Sequence, residues 1–511
     1  MAANDCVDLL IIGGGINGAG IARDAAGRNL RVVLVEQGDL ASATSSASTK
    51  LIHGGLRYLE FLEFRLVREA LMERERLLAI APHIIRPLRF ILPHVEGLRP
   101  RWMMRLGLLF YDHAGGRKRL PASQGVKLAG TQYGRPLRAD ITHGFAYSDC
   151  WVDDSRLVVL NAMDAAARGA QILPRTQFIR ATAGAGFWSV QCHSHRTGAS
   201  LEFKARAVVN AAGPWVENVL DRFPGTEDDK TRVRLVKGSH IVVPRLYEGD
   251  HAYTLQHPDG RVVFAIPYED EFTVIGTTDM PFAGDASSVG ITPEEIAYLC
   301  DASNRYLTRR PIEPKDVKWT YAGVRPLFDD ATAEASKVTR DYKLDLFDAP
   351  AGGALLSVFG GKITTYRKLA EAALAKLQPQ IGGSNQTWTD QAPLPGGDLP
   401  RGDFSRFCTE SQRRWSFLPD AVVTRLARAY GTRMEKILGT ARKLSDLGRQ
   451  HGAGLSEAEV EYLKRHEWAL APADILWRRS KIGLHMTPEE LGAFDPPAQD
   501  EAKLTLIGAT S

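Results

Sequence analysis

Apolar and polar positions along the first forty residues fall in the rhythm of a strand, a helix and a second strand. Val7 to Ile12 is apolar but for Asp8, as expected of a buried parallel strand, and it leads straight into Gly13-Gly14-Gly15-Ile16-Asn17-Gly18. From Asn17 to Arg28 the small residues Ala19, Ala22, Ala25 and Ala26 predict a helix that packs closely on a sheet, with Gly27 near its end. Arg31 to Val35 predicts a second strand, closed by Glu36. The strand signal returns in Ala207 to Trp215, which ends in small residues. It returns again in Leu355 to Phe359, followed by Gly360, Gly361, Lys362 and a helix from about Thr365 to Leu377. Pro393, Pro395, Gly396, Gly397 and Pro400 read as a linker. Beyond it, Val422, Val423, Leu426, Ala427 and Tyr430 fall at helical spacing, so residues 403–486 are expected to form a packing or dimerisation module.

The strand, glycines, helix, strand and terminal acid occur in the order required for a dinucleotide site. Glycines admit the pyrophosphate to the backbone, the helix N-terminus offers unpaired amides and the positive end of its dipole, and Glu36 can hold ribose hydroxyls. NAD and FAD both use this arrangement. The return strand at 207–215 and the glycine pair at 360–361 favour FAD, because they describe a discontinuous flavin domain that an ordinary NAD enzyme does not need.

Length and charge narrow the classes further. A chain of 511 residues exceeds the size of a single core, so two or three domains are expected. Lys and Arg number 64 against 60 for Asp and Glu, a balance that argues against nucleic-acid binding by bulk attraction and makes any anion site local. The five cysteines lack zinc or redox spacing, no metal site is expected, and a reducing compartment fits. The first eight residues resemble neither a signal nor a transit peptide, and no apolar stretch is long enough to cross a bilayer. Between Arg99 and Arg119, Trp102, Met103, Met104, Leu106, Leu108, Leu109, Phe110 and Tyr111 mix with Arg101, Arg105, Arg117, Lys118 and Arg119. That composition suits a membrane surface or, equally, a buried helix with solvated basic ends.

The hydroxyl-rich segment Ala43 to Leu59 closely resembles the bacterial aerobic, FAD-dependent and quinone-linked glycerol-3-phosphate dehydrogenases, within the amino-acid-oxidase-like flavoproteins. The resemblance continues through Tyr147 to Asp154, Lys237 to His240, Gly276 to Asp279, Tyr321 to Leu327, Thr339 to Tyr342 and Gly360 to Arg367. Ala22 stands where many FAD fingerprints carry a further glycine, and no calcium loop follows residue 390, as in the bacterial form. The resemblance implies an α/β plus α+β architecture: a discontinuous Rossmann-like FAD domain (1–80, 145–220 and 350–385), an interleaved antiparallel-sheet substrate domain (81–144 and 221–349) and a helical C-terminal domain (390–511).

It also implies FAD contacts from Gly13, Gly15, Asn17, Gly18, Glu36, Thr44, Ser45, Ser48, Lys50, Leu51, Ala212, Gly213, Trp215, Gly361, Lys362, Ile363 and Thr364. Substrate binding is expected from Arg57, Tyr58, Arg325, Arg340 and Lys362, since a phosphorylated alcohol needs fixed cations at one end and a proton acceptor at the other. The residues expected at the chemistry are His53, His240, Arg325 and Lys362, with either histidine, water or an arginine-assisted path taking the proton. The implied partners are sn-glycerol 3-phosphate, a membrane quinone, the inner face of the cytoplasmic membrane as a peripheral support, and a second copy in a homodimer. An oxygen-using, peroxide-forming oxidase and a non-catalytic flavin-binding protein stay open; an RNA-modifying flavoprotein shares the fold type but finds no support in the balanced charge.

Overall fold

The computed structural model describes residues 6–495 apart from 96, 98, 117–118, 227–232, 308–310, 329–340 and 350–351. The two apolar runs at the N-terminus form the strands Cys6–Ile12 and Val32–Glu36, joined by the helix Ile16–Gly27. They lie in a sheet ordered Lys343–Asp348, Ala354–Phe359, Ser200–Asn210, Cys6–Ile12, Val32–Glu36, Gln171–Pro174. All neighbours in this series pair parallel except the antiparallel edge strand Lys343–Asp348. Leu9, Leu10 and Ile11 are fully buried because helices cover one face and a second apolar layer around Trp188 and Val208 covers the other. The alanine stripe of Ile16–Gly27 packs on the helices Asp154–Ala167 and Tyr366–Ile381. Three of the parallel strands end side by side in Gly13, Ala211 to Gly213 and Gly360-Gly361, the edge at which open α/β sheets bind their ligands.

A second sheet is ordered Met280–Pro281, Val233–Pro244, Phe272–Gly276, Val262–Tyr268, Ala252–Gln256, Ile85–Pro93, His143–Val152, Leu51–Ile52. Trp319–Phe328 pairs along Val233–Pro244 and Gln124–Lys127 along His143–Val152. Its pairings are antiparallel except that of Ala252–Gln256 with Ile85–Pro93. The chain changes sheet at other points than the sequence suggested. Residues 145–152 and Leu51–Ile52 belong to this second sheet, while Lys343–Asp348 joins the first. Sheet membership follows the hydrogen-bonding partner, which periodicity alone does not reveal.

Beyond the linker, the helices Phe404–Arg414, Asp420–Tyr430, Glu435–Leu438, Glu457–Glu467 and Pro488–Ala493 surround a core that includes Val423, Leu426, Tyr430 and Leu463. This helical region docks on the first sheet's helices through buried ion pairs. Arg156 meets Glu467 with both side chains 0% exposed, and Lys481 Nζ lies 2.8 Å from Asp153. Trp477 stacks on Trp319 of the second sheet with ring centroids 5.0 Å apart.

The helix Arg101–Ala114 is not the buried element that one reading of its composition allowed. Leu108 and Tyr111 face inward, but Trp102 is 67% and Leu106 59% exposed, and Met103, Leu109 and Phe110 are also exposed. Phe110 meets Phe64 edge-on at 5.2 Å, beside exposed Phe61 and Leu62, so the apolar residues form a patch. A groove of about 400 Å³ runs next to it, lined by His94, Arg101, Trp102, Arg105, Lys127 and His143. Among the described residues no helix is long and apolar enough to cross a membrane.

Candidate active site

The glycine loop is shaped for close approach. Gly13 has φ +114, and a Cβ on it would sit 2.5 Å from the carbonyl oxygen of Ala211 on the adjacent strand. The helix begins at Gly15 without a side-chain cap, leaving its first amides directed at the loop. The Ile16 amide donates to Ser45 Oγ at 3.0 Å, which brings the hydroxyl-rich segment over the helix start. Glu36 accepts from the amides of Gly14 (2.6 Å) and Gly38 (2.7 Å). Burial pushes its carboxyl upward and those two amides oppose the shift. Gly213 (φ +57) has open space beside its Cα and starts the turn Gly213–Trp215. Gly361 (φ +98) lies against Asn17, whose Nδ2 donates to Gly360 O at 3.1 Å while its Oδ1 is buried without a hydrogen-bond partner. This bare backbone cradle, with a half-satisfied amide at its mouth, fits the pyrophosphate and ribityl portions of a dinucleotide.

Not every residue expected at the cofactor turns toward it. Lys50, in a left-handed conformation (φ 59), directs Nζ to Asp154 Oδ1 at 2.8 Å and to Ser46 O at 3.1 Å, and is 1% exposed. A buried ammonium needs that carboxylate, so the charge of Lys50 is already matched within the protein. Ser48 Oγ likewise donates to Asp154 at 2.7 Å, Thr44 Oγ1 donates to Val324 O at 2.6 Å, and Leu51 packs in the second sheet opposite Trp151. Ile363 packs at the margin of the first core. Of these, Thr44 joins the hydroxyl-rich segment to the second sheet and Ser48 joins it to the start of the helix Asp154–Ala167. Arg340 lies outside the described residues.

The residues expected at the substrate come from four separate segments. The His53 amide donates to Thr364 Oγ1 at 3.3 Å, joining the segment after the hydroxyl-rich loop to the loop that holds Lys362. Lys362, which precedes the turn Ile363–Thr365 and the helix Tyr366–Ile381, sets Nζ 3.7 Å from the centre of the Tyr58 ring. Next to Tyr58, Arg57 Nη1 lies 3.7 Å from Asp279, and Arg325 pairs with the other oxygen of the same carboxylate. Arg325 Nη2 also donates to Thr277 Oγ1 at 3.2 Å. Both arginine side chains remain about a quarter exposed, at 26% for Arg57 and 25% for Arg325. Gly238 makes room for this geometry, since a Cβ there would stand 2.5 Å from Arg325 Nη2.

His240 lies flat against Tyr321 (centroids 4.6 Å, planes 10° apart) and pairs through Nε2 with Thr49 Oγ1 at 3.0 Å. Burial, followed by the cations Arg325 and Lys50, holds its pKa well below 6.5, so the ring is neutral at physiological pH. Asp279, Thr277, Thr49 and Asp154 carry no local signal of a role, although they fall in the family-like blocks Gly276 to Asp279, Ala43 to Leu59 and Tyr147 to Asp154. Each acts by neutralising or orienting a residue that was singled out.

Residues 8–367 match the family described as FAD dependent oxidoreductase, and residues 387–496 match the one described as C-terminal domain of alpha-glycerophosphate oxidase. Among relatives, a glycerol-3-phosphate dehydrogenase of Pseudomonas aeruginosa is 52% identical, over 94% of this chain and 93% of its own. A D-erythritol 1-phosphate dehydrogenase of Brucella abortus is 50% identical, over 97% and 98%. Among solved structures, the glycerol-3-phosphate dehydrogenase from Bacillus halodurans complexed with FAD has a TM-score of 0.72 at 28% identity, covering 97% of each chain.

Proposed function

Since the chain belongs to the FAD-dependent oxidoreductase family and takes FAD as its cofactor, we propose that it oxidises sn-glycerol 3-phosphate to dihydroxyacetone phosphate and passes the electrons to a membrane quinone. One observation carries this reading: Arg57 and Arg325 converge on Asp279, Arg325 lies close enough to a neutral His240 to lower its pKa, and Lys362 packs on the ring of Tyr58 next to Arg57. A phosphorylated secondary alcohol needs that combination.

Bound FAD supplies the acceptor for the hydride that leaves the alcohol carbon. The forks of Arg57 and Arg325 match phosphate oxygens in pairs, and Asp279 holds the two forks in a common orientation until the dianion arrives. Lys362 adds positive charge at the loop bordering the cradle. His240, neutral and oriented by Thr49, takes the hydroxyl proton as the hydride departs; His53 is the alternative acceptor.

A longer chain is a specific second reading, because a relative of nearly equal identity is named for D-erythritol 1-phosphate, which presents the same phosphate end. The test is anaerobic titration of the yellow protein with each compound. Bleaching by sn-glycerol 3-phosphate at kcat/KM above that for D-erythritol 1-phosphate supports the first reading. The reverse order transfers the assignment to the four-carbon substrate, and no bleaching by either rejects both.

The exposed face of Arg101–Ala114 supports peripheral attachment to the inner face of the cytoplasmic membrane, with Arg101 and Arg105 beside its apolar residues. Liposome flotation should be lost when Trp102, Leu106 and Phe110 are made polar. Anaerobic turnover with a quinone analogue separates the dehydrogenase from an oxygen-using oxidase.

A further inference from the structure

Asp39 follows the loop that carries Glu36, and its side chain is 1% exposed. Its carboxylate takes three guanidinium hydrogen bonds: from Arg478 Nε at 2.6 Å, and from Arg479 Nη1 and Nη2 at 2.8 Å each. Arg479 stands 440 positions away in the chain, is 0% exposed, and also donates to Glu467 O at 2.7 Å. Both arginines lie on the π-helical turn Asp474–Arg479. Asp474 fixes that turn by accepting from the amides of Leu470 and Ala471 at 2.9 Å, and it pairs with Arg175 Nη2 at 2.7 Å. The Arg175 amide in turn donates to Gly38 O at 2.8 Å. Residues 36–41 are thus gripped from one side at Gly38 and Asp39.

On the other side the same residues touch the glycine cradle. Gly14 and Gly38 donate to Glu36, Ala41 N donates to Gly14 O at 3.1 Å, and Leu40 is fully buried beneath Gly14. A glycine-containing loop samples many conformations unless it is fixed, and a carboxylate meant for ribose hydroxyls binds them more tightly when it is already in place. We infer that Arg478 and Arg479 act as positioning residues for the cofactor: by clamping Asp39 they preorganise the Glu36 loop, so FAD retention depends on the C-terminal helical region. The arginines touch Asp39, not the cofactor. The inference takes FAD as given and holds whichever alcohol is oxidised.

The experiment removes FAD from the purified protein and titrates it back, following flavin fluorescence, for wild type, Asp39→Asn and Lys481→Met. Lys481 is the control: it forms an ion pair with Asp153 at the same junction and reaches the π-helical turn through Ser155, whose hydroxyl donates to the Arg478 carbonyl, rather than through the guanidinium groups that hold Asp39. Asp39→Asn should raise the FAD Kd about tenfold, within the usual range of coupling between distant sites, and Lys481→Met should leave it within about twofold. Both should lower the apoprotein Tm, which a purely structural role would also do. Equal changes in Kd for the two variants, or none for Asp39→Asn, overturn the inference. Should Asp39→Asn fail to fold, Arg478→Gln removes one of the three bonds to Asp39, together with the pair that Arg478 makes with Asp474, at a side chain 18% exposed. It should then raise Kd about fivefold, and an unchanged value again overturns the inference. Coupling is reciprocal, so adding FAD to the wild-type apoprotein should slow amide exchange across residues 474–479; unaltered exchange there counts against it equally.

Discussion

The two ends of the active site hold charge by different means. At the nucleotide end the groups are main-chain amides and glycines, fixed by strands whose pairing they cannot leave. At the substrate end they are cationic side chains from separate segments, two of them sharing Asp279. A backbone cradle has no side-chain torsion to adjust, so an added methyl group must move main chain. A side-chain cluster can adjust its shape, and it responds to the loss of a charge instead.

Gly13→Ala tests the first half of that contrast and should have the largest effect. The new Cβ meets the Ala211 carbonyl at 2.5 Å in a backbone conformation that alanine avoids. The protein should emerge from gel filtration without flavin absorbance. A yellow, stoichiometric preparation would show that the cradle yields and that the contrast is overstated.

Arg325→Met tests the second half. It should keep FAD and lower kcat/KM for the phosphorylated alcohol by roughly 10- to 100-fold, the loss of one or two charge-assisted hydrogen bonds. Arg325→Lys should recover little of it, because an ammonium cannot replace the fork that reaches Asp279 and Thr277 together. Lys362→Ala should act more mildly, slowing substrate reduction of bound FAD about tenfold in anaerobic stopped flow, as expected when one nearby fixed charge is removed. An unchanged rate and affinity would remove Lys362 from the site.

The same contrast governs what could be read from the sequence. The nucleotide end was legible because its determinants are local: the apolar run, the glycines, the alanine stripe and Glu36 all fall within residues 7–36, and the helix observed at Ile16–Gly27 lies within one residue of the expected bounds. The substrate end was legible only through blocks resembling a known family, which marked Arg57, Arg325 and Lys362 but not the carboxylate between the arginines. The surroundings of Lys50 were hidden for a related reason. Its partner Asp154 lies about a hundred positions on in the chain, so nothing near Lys50 announced that its charge was already matched. Asp39 with Arg478 and Arg479 is the extreme case, and the sheet boundaries at 145 and 349 shifted because strand partners are equally non-local.

The smallest effect separates the two histidines. His240 belongs to the side-chain end, yet it is as enclosed as the backbone end: fully buried, stacked on Tyr321 and near two cations that resist a further positive charge. A histidine whose folded pKa lies well below 6.5 stays deprotonated as pH falls through 6.5, and protonates only at lower pH. If His240 receives the proton, the rate of substrate reduction of FAD should therefore be flat from pH 8 to about pH 6, with any decline confined to more acidic solution. His240→Asn should then lower the rate across the plateau without introducing a new limb. A decline within pH 6 to 8 that disappears in His53→Asn would assign the proton to the half-buried histidine beside Thr364, and the enclosed ring would be left with the task of holding Thr49 and Tyr321 in place.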